Sequence, residues 1–468
     1  MESNKKRNSF TGSIGFVLAA ASSAVGLGNI WRFPYLAAKD GGGLFLVMYI
    51  VLAVTFGFTL LTTEIAIGRK TKQSPLTAYG EMKKGWGFIG VLACLVPIII
   101  MPYYCVIGGW VVKYFIAFLS GEGVAAAQDG YFGAYITSEI QPIVFMLVFL
   151  FISAFIVFRG VNKGIESSSK VIMPILLLLV VGIAVYSVVA IEHTDANGLT
   201  RTGFDGFKVY VIPDLDGITI KGFFTVLLDA MGQLFFSLSV AMGIMIAYGS
   251  YVKDESNLGK SINQIEIFDT VVAFLAGVMI VPAVYVFMGT EGMKSGPSLM
   301  FESLPKVFAE MGKIGNLIGC LFFAMVLFAA ITSAMSVMEA VVSSFMDKFH
   351  LSRTKAALVE TCIALVGGII VCLGYNKFYF DIGLPNGSRA QILDIMDYIS
   401  NNIFMPVVAI STCILIGWVL KPKVIIDEVE KSGCKFSRRI LYIVMIKVIA
   451  PILLLILLLK SLGIITFI

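Results

Sequence analysis

The sequence predicts an all-α polytopic membrane protein, and three observations carry that prediction. The 468 residues are 58% hydrophobic and only 14% charged, whereas soluble domains are about half apolar and a quarter charged. Eleven apolar runs are each long enough to cross a bilayer, which takes about 20 residues. Two of those runs are interrupted by glycine and hydroxyl residues. This composition leaves no room for a large soluble domain.

The apolar runs are joined by loops that alternate in charge. The expected spans, numbered one to eleven, are approximately 13–38, 43–68, 87–119, 141–158, 168–191, 222–252, 262–290, 315–346, 355–375, 390–420 and 439–465. The N-terminal tail and every second loop are basic, and we call the side of the membrane where they lie the basic face. By the positive-inside rule we expect that face to be cytoplasmic, with the N-terminus inside and the C-terminus outside.

The N-terminus also resembles a signal peptide, because Lys5, Lys6 and Arg7 precede an apolar run that ends in small residues at 19–24. Cleavage there would discard the most unusual polar segment of the chain. We therefore expect an uncleaved first span.

Composition argues against several functions. The net charge of +5 is carried by short loops and does not indicate nucleic acid. Seven Cys lie mostly inside apolar runs without metal or redox spacing, and there are only two His. No nucleotide-binding loop and no Ser/His or Cys/His constellation is present, so we do not expect an enzyme. No obligatory protein partner is evident.

The most informative segment is 22–34, in the first span, which contains Gly26, Gly28, Asn29 and Arg32. Unpaired backbone in hydrocarbon costs several kcal/mol per group, so irregular backbone survives there only where it lines a cavity or binds something. A broken helix at mid-membrane is typical of the ion and substrate site of a secondary transporter.

Span six is interrupted in a similar way at 235–243, where Ser237, Ser239 and Gly243 interrupt an apolar run. Two broken helices five spans apart predict an inverted five-helix repeat with the site between the breaks. The alternative is that these small residues only permit close helix packing. Asn29 and Arg32 in span one favour the site.

Several motifs resemble the neurotransmitter:sodium symporter family. They are residues 24–34, Gly41–Gly43, 64–69, 159–166, 233–239 and Thr332–Ser333. The resemblance implies a LeuT-type fold, a 5+5 inverted repeat with broken helices 1 and 6 plus an eleventh helix. It divides the chain into a tail (1–12), a first repeat (13–191), an extracellular loop (192–221), a second repeat (222–420), a cytoplasmic loop (421–438) and the last helix with a short tail (439–468).

The resemblance further implies two Na⁺ sites. The first would use the Ala24 carbonyl, Asn29, Ser237, Asp269 and the substrate carboxylate. The second would use the carbonyls of Ser22, Val25 and Ala329 and the hydroxyls of Thr332 and Ser333. Hard cations prefer oxygen ligands, which agrees with both sets. Alternatively, the hydroxyls of Thr332 and Ser333 bond back to their own helix.

Gly26 decides the substrate class in this resemblance. Relatives that carry amines without a carboxylate have Asp there, whereas Gly leaves room for a substrate that brings its own carboxylate. Backbone N–H groups of Leu27 and Gly28 and the Tyr104 hydroxyl would hold that carboxylate. Met242 favours a hydrophobic or aromatic side chain, and Gly108 is expected to enlarge the pocket floor. The full expected pocket is Ser23, Ala24, Leu27, Gly28, Ile100, Tyr104, Phe236, Ser237, Ser239, Met242, Ser333 and Val337.

Two acids within apolar runs have implied roles. Asp269 would supply the negative charge that a bound chloride gives in some animal relatives, which predicts chloride independence. The alternative is an Asp that caps the start of span seven. Glu64 would accept hydrogen bonds from the broken backbone of span six, and its alternative is a helix-end Glu near Arg69.

Two charged pairs resemble gates. Arg32 and Asp397 would form the extracellular gate, with water between them. Arg7 and Asp347, with Tyr251 nearby, would form the cytoplasmic gate. For that exposed pair, an ordinary surface contact of little energetic value is equally open.

These expectations combine into a sodium-coupled symporter in the cell membrane that imports a neutral hydrophobic or aromatic L-amino acid. The alternatives are a carrier of the same fold without Na⁺ coupling and a membrane sensor that binds an amino acid without moving it. Both tails are short, which does not favour signalling.

Overall fold

The structure is a computed structural model, and it describes residues 9–194, 198–215, 218–292 and 299–465. Within these ranges the chain forms eleven helical spans, of which the first is bent. Their bounds are Ser13–Ala24 with Gly28–Lys39, Gly43–Thr71, Gly87–Leu119, Gln141–Phe158, Val161–Val189, Ile220–Ser237 with Ile244–Ser250, Leu258–Gly289, Lys313–Phe349, Arg353–Leu373, Ile392–Val419 and Arg439–Ser461.

Short elements cover the two ends of the bundle. Helices Pro75–Met82 and Lys423–Glu430 lie in loops of the basic face. The loops of the opposite face contain helices Gly123–Ala126, Tyr131–Thr137, Gly203–Val211 and Leu304–Glu310, a π-helical turn Leu299–Ser303, and antiparallel hairpins pairing Glu192–Thr194 with Thr200–Thr202 and Ile382–Gly383 with Arg389–Ala390.

Both expected breaks are present. Span one bends by 53° between its two helices. In span six the helix ends at Ser237 and resumes at Ile244, and Ser239 (φ 54°) and Ala241 (φ 62°) have left-handed backbone. Such conformations are costly for residues with a side chain and persist only where the surroundings impose them. The packing around the break therefore maintains it.

Close backbone contact supports the second half of span six. A Cβ atom at Gly68 would overlap the carbonyl oxygen of Ile246, and a Cβ at Gly249 would overlap that of Ile65. Small residues permit this approach between membrane helices, where dispersion and interhelical contacts replace the hydrophobic effect. Span two thus acts as a rigid support for the helix that follows the break.

Ion pairs join the loops of the basic face. The Arg69 Nε lies 2.7 Å from the Glu428 Oε1, and both side chains are buried. Asp254, in the loop after span six, accepts from Lys431 and Lys72, each at 2.8 Å. The hydrogen bond from Lys431, together with that from Lys72, lowers the pKa of Asp254 to about 2. The end of span two is therefore fixed to the loops that follow spans six and ten.

Replacing Gly68 by Ala should destabilise the fold by about 1–3 kcal/mol, because the added methyl overlaps backbone that cannot move away freely. Gly182→Ala is the matched control, since nothing lies within 4 Å of a Cβ at that exposed position of span five. Thermal unfolding in detergent, followed by size-exclusion chromatography, measures both. Equal midpoints for the two variants would contradict the close contact.

Candidate functional site

A cavity lies where the breaks of spans one and six face spans three and eight. The space free of protein atoms there is about 360 Å³ and includes some open solvent. It is lined by Ser23, Ala24, Gly26, Leu27, Gly28, Asn29, Ile100, Tyr104, Phe236, Ser237, Ser239, Met242, Ser333 and Val337. All twelve positions expected for the substrate pocket are in that wall.

Two glycines let the span-one backbone form part of the wall. A Cβ atom at Gly26 would lie 2.6 Å from the Ser333 Oγ and 3.5 Å from the Tyr104 hydroxyl. A Cβ at Gly28 would lie 2.6 Å from the ring of Phe236. Any side chain at either position would therefore fill the cavity or displace its wall.

Two hydroxyl groups bond to the backbone of span one just before its break. Ser333 and Ser239 each donate to the Ser23 carbonyl at 3.1 Å, so spans eight and six both contact the break. The Tyr104 hydroxyl is buried and has no hydrogen-bond partner among the described residues. It is thus a donor and acceptor available to a bound molecule.

Asp269 is the centre of a buried polar cluster beside the cavity. Its Oδ1 accepts from the Asn29 Nδ2 at 2.8 Å and from the Ser237 Oγ at 2.6 Å, and its Oδ2 accepts from the Tyr49 hydroxyl at 3.0 Å. The Ser237 Oγ is also 3.1 Å from the Asn29 Oδ1. Asp269 lies well inside the span that begins at Leu258, so its interpretation as an interfacial cap is wrong. Tyr49 was not anticipated, and no motif marks it.

The residues expected for a second ion site are all buried, but the structure joins them unevenly. The Thr332 hydroxyl donates to its own helix, at the carbonyls of Phe328 (3.1 Å) and Ala329 (3.0 Å). This is the back-bonded alternative, whereas Ser333 reaches across to span one. The Ser22 hydroxyl bonds to the Ala19 carbonyl at 3.0 Å. The Val25 N–H donates to the Ala21 carbonyl at 2.8 Å.

Two side chains bond to backbone at the breaks. The Glu64 Oε1 accepts from the Ala241 N–H at 2.6 Å, in the broken segment of span six. The Gln233 Nε2 donates to the Gly28 carbonyl at 3.0 Å, at the first residue of the helix that follows the break in span one. Because Arg69 pairs with Glu428, the helix-end interpretation of Glu64 is wrong. Gln233 lies in the family motif at 233–239, but the sequence did not indicate that it bonds to the backbone of span one.

On the side away from the basic face, Arg32 lines a second, larger cavity together with Phe236 and Lys460. No ion pair within 4.0 Å joins Arg32 to any carboxylate in the described ranges, so it does not contact Asp397 directly. Asp397 instead accepts from the Tyr103 hydroxyl at 3.1 Å and from the Asn401 Nδ2 at 2.6 Å. Phe236 lines both cavities.

On the basic face, Arg7 lies outside the described residues. Its expected partner Asp347 accepts a hydrogen bond from the Ser74 N–H at 2.7 Å. The structure therefore places one member of this expected gate against the loop after span two.

Tyr251 belongs to a different cluster that the sequence reasoning missed. Its hydroxyl donates to the Glu339 Oε1 at 2.7 Å, and Glu339 also forms an ion pair with Arg353. The signal was available, because a carboxylate within the apolar run of span eight is costly and marks a functional or structural site.

Gly108 does not have its expected role. It does not line the cavity, and a Cβ there would lie 2.6 Å from the ring of Phe149 in span four. Gly108 serves the packing of spans three and four, and the expectation that it enlarges the pocket floor is wrong. Met242 does line the cavity.

Comparison with known proteins identifies the family. The model of the sodium:neurotransmitter symporter family matches residues 7–124 and 136–467. The chain belongs to this family. It is 32% identical to an uncharacterized sodium-dependent transporter of Bacillus subtilis, over 99% of this chain and 100% of the relative. It is 25% identical to the sodium- and chloride-dependent GABA transporter 2 of Rattus norvegicus, over 91% of this chain and 75% of the relative.

A solved structure agrees with this membership. The crystal structure of MhsT in complex with L-phenylalanine superposes with a TM-score of 0.84 at 32% identity, covering 97% of this chain and 100% of that one. The LeuT-type fold expected from the motifs is confirmed. The protein is a multi-pass sodium-coupled transporter of a small molecule, and its family is not a family of enzymes.

Glu64→Leu should destabilise the protein by about 1–3 kcal/mol, because it leaves the buried Ala241 N–H without an acceptor. Glu64→Gln is the matched control, since its amide oxygen still accepts that bond. Thermal unfolding compares the two variants. If leucine is tolerated as well as glutamine, the carboxylate does not support the break.

Proposed function

We propose that this protein imports a neutral L-amino acid with a hydrophobic or aromatic side chain, driven by Na⁺. The observation that carries the proposal is the cavity wall. Ile100, Phe236, Met242 and Val337 supply apolar surface, and no Lys, Arg, Asp or Glu among the described residues lines it. A charged side chain would have no partner there and would be costly to bury.

The absence of a side chain at Gly26 supports an amino acid over a simple amine. An aspartate at this position would collide with Ser333, as the Cβ distance of 2.6 Å shows. The second helix of span one begins at Gly28, and the positive end of a helix attracts carboxylates. In the proposal, the N–H groups of Leu27 and Gly28 and the unpartnered Tyr104 hydroxyl bind the substrate carboxylate.

We assign the first Na⁺ to Asn29, Ser237, Asp269 and the Ala24 carbonyl, completed by the substrate carboxylate. The support is the buried cluster itself, in which these three side chains already converge within 3.1 Å of one another. Oxygen atoms of this kind are the ligands that hard cations prefer. The substrate carboxylate is then itself a ligand of the Na⁺ ion, so substrate and ion should each tighten the binding of the other.

We assign the second Na⁺ to the carbonyls of Ser22, Val25 and Ala329 and the hydroxyls of Thr332 and Ser333. The support is that Ser333 already bonds across to the span-one break, at the Ser23 carbonyl. An ion here would fasten span eight to span one, and its release would free span one to move, as alternating access requires.

The fixed charge of Asp269 supports chloride independence. A buried carboxylate with three donors around it supplies a negative charge beside the first Na⁺ without any bound anion. The rat relative described by its name as sodium- and chloride-dependent is 25% identical to this chain.

The proposed orientation has the basic face in the cytoplasm, the N-terminus inside and the C-terminus outside, in the cell membrane. In the proposal, Arg32 and Asp397 then face the exterior and form the extracellular gate, with water between them. The pair of Arg7 and Asp347 and the division of the chain into two repeats, with a loop at 192–221 and another at 421–438, stay predictions.

Uptake into proteoliposomes tests the substrate class. An inward Na⁺ gradient should drive accumulation of L-phenylalanine or L-leucine, whereas choline should not support it, because Na⁺ completes the carboxylate site. Gly26→Asp should abolish this uptake by filling the carboxylate position. Uptake of equal size in choline, or preferred uptake of lysine or glutamate, would contradict the proposal.

Replacing chloride by gluconate should leave uptake unchanged. Asp269→Asn removes the fixed charge and should reduce Na⁺-driven uptake by at least about tenfold or make it depend on chloride, since the charge beside the ion must then come from an anion. Uptake by each protein is measured in both salts. Strong chloride dependence of the unmodified protein would reject this part of the proposal.

The double variant Thr332→Val with Ser333→Ala should abolish Na⁺-driven accumulation while the protein stays folded, because the second ion loses both hydroxyl ligands. Ser343→Ala with Ser344→Ala is the matched control, since these hydroxyls lie in the same span and bond back to the Ala340 carbonyl. Normal accumulation by the first double variant would place the second ion elsewhere.

A further inference from the structure

A cavity at the basic-face end of spans four and five plays no part in the site described above. This cavity is a shallow groove that is open over most of its extent, and the space of about 750 Å³ counted within it includes that open region. Two exposed cations contribute to its wall, Arg159 and Lys163, and neither has an ion pair with a carboxylate of the described residues. The complete wall is Arg159, Lys163, Ser167, Ser168, Val171 and Ile172.

The neighbouring acid is engaged elsewhere. Glu166 is buried and forms an ion pair with Lys170 at 2.7 Å, and it accepts from the N–H of Thr11 at 3.0 Å. Its charge is therefore directed toward the N-terminal segment and away from the cavity. The two cations are left to attract an anion from outside the protein.

An apolar surface continues from the cavity along the same two spans. Phe155 in span four and Val171, Ile175 and Leu178 in span five are exposed by 62%, 61%, 42% and 72%. Only 33% of the most apolar part of span five is buried inside the protein. Because both spans cross the bilayer, this surface faces lipid. The basic cavity could hold the charged headgroup of a phospholipid, and the apolar surface next to it could hold an acyl chain.

We propose that an anionic phospholipid of the leaflet at the basic face binds here. Arg159 and Lys163 bind its phosphate and charged headgroup, the Ser168 hydroxyl donates to the same oxygens, and one acyl chain lies on Val171 and Ile175. Basic residues at a membrane surface attract anionic lipids in this way. A zwitterionic headgroup fits less well, because its cation would lie against the two basic side chains.

The position of this site gives the lipid a regulatory role. Arg159 and Lys163 flank the turn at Gly160, where φ is 90°. Six residues after Lys163 along span five, the Ser169 hydroxyl lies 2.9 Å from the hydroxyl of Ser22, beside the break in span one. A lipid that bridges the two cations stabilises this turn and, through the contact of Ser169 with Ser22, the position of the first half of span one.

Binding is tested on the full chain in neutral detergent, by native mass spectrometry and thermal unfolding. Dioleoyl phosphatidylglycerol should bind and raise the unfolding midpoint, and dioleoyl phosphatidylcholine should do so much less. Arg159→Gln with Lys163→Gln should weaken the apparent affinity for phosphatidylglycerol about thirtyfold, from two lost surface cations. Lys83→Gln with Lys84→Gln, which removes two exposed cations elsewhere on the basic face, should leave it unchanged.

Three results would overturn the proposal. They are equal affinity of the first double variant and the unmodified protein, an equal loss in the Lys83/Lys84 control, and reproduction of the stabilisation by inorganic phosphate at the same concentration, which would indicate a soluble anion. Should the glutamine variant unfold, Arg159→Lys with Lys163→Arg keeps both charges and must retain selectivity for phosphatidylglycerol.

Hydrogen–deuterium exchange tests the regulatory role independently of binding. Phosphatidylglycerol should slow exchange in residues 159–172 and 9–24 of the unmodified protein, and should not do so in the glutamine variant. Slowing confined to 159–172 would show that the lipid binds without stabilising the first half of span one.

Discussion

The structure depends on one constraint, which is that two stretches of irregular backbone interrupt the membrane-spanning helices of spans one and six. Each unpaired group there costs several kcal/mol, so the surrounding spans must supply partners. Glu64 supplies an acceptor for the Ala241 N–H. Gln233 adds a second donor to the Gly28 carbonyl, which also accepts from the Phe33 N–H. The left-handed backbone at Ser239 and Ala241 persists because these partners and the packing of span two hold it. A carboxylate in span two is thus part of the architecture of span six.

The same backbone determines what can be bound. Because Gly26 and Gly28 have no side chains, the backbone of span one lies close to Ser333 and Phe236. Backbone atoms therefore form part of the cavity wall. Phe236 also forms the boundary with the outer cavity that contains Arg32. The Phe236 ring is therefore part of the boundary between the two cavities. A movement of Phe236 would change the shape of both.

The sequence was sufficient for features that depend on local pattern. Hydropathy located the spans, and the family resemblance named the residues that line the cavity. It was insufficient where a side chain chooses between partners on distant spans. The contact of Tyr49 with Asp269, the cluster of Glu339 with Arg353, and the packing of Gly108 against Phe149 all depend on which helices become neighbours. No spacing within one span encodes those choices.

The Thr332 hydroxyl shows how two sequence interpretations can both hold. It donates to carbonyls of its own helix, as the structural alternative expects. A hydroxyl that donates its single proton still has two lone pairs, and those are what a cation uses. The bond to the helix orients these lone pairs without consuming them. Back-bonding and ion binding are therefore compatible at Thr332. The same holds at Ser333, which donates its proton to the Ser23 carbonyl, a group outside the proposed ligand set. Of the two hydroxyls, Ser333 is the one whose hydrogen bond crosses to span one, so a movement of span one would break this bond and leave those of Thr332 intact.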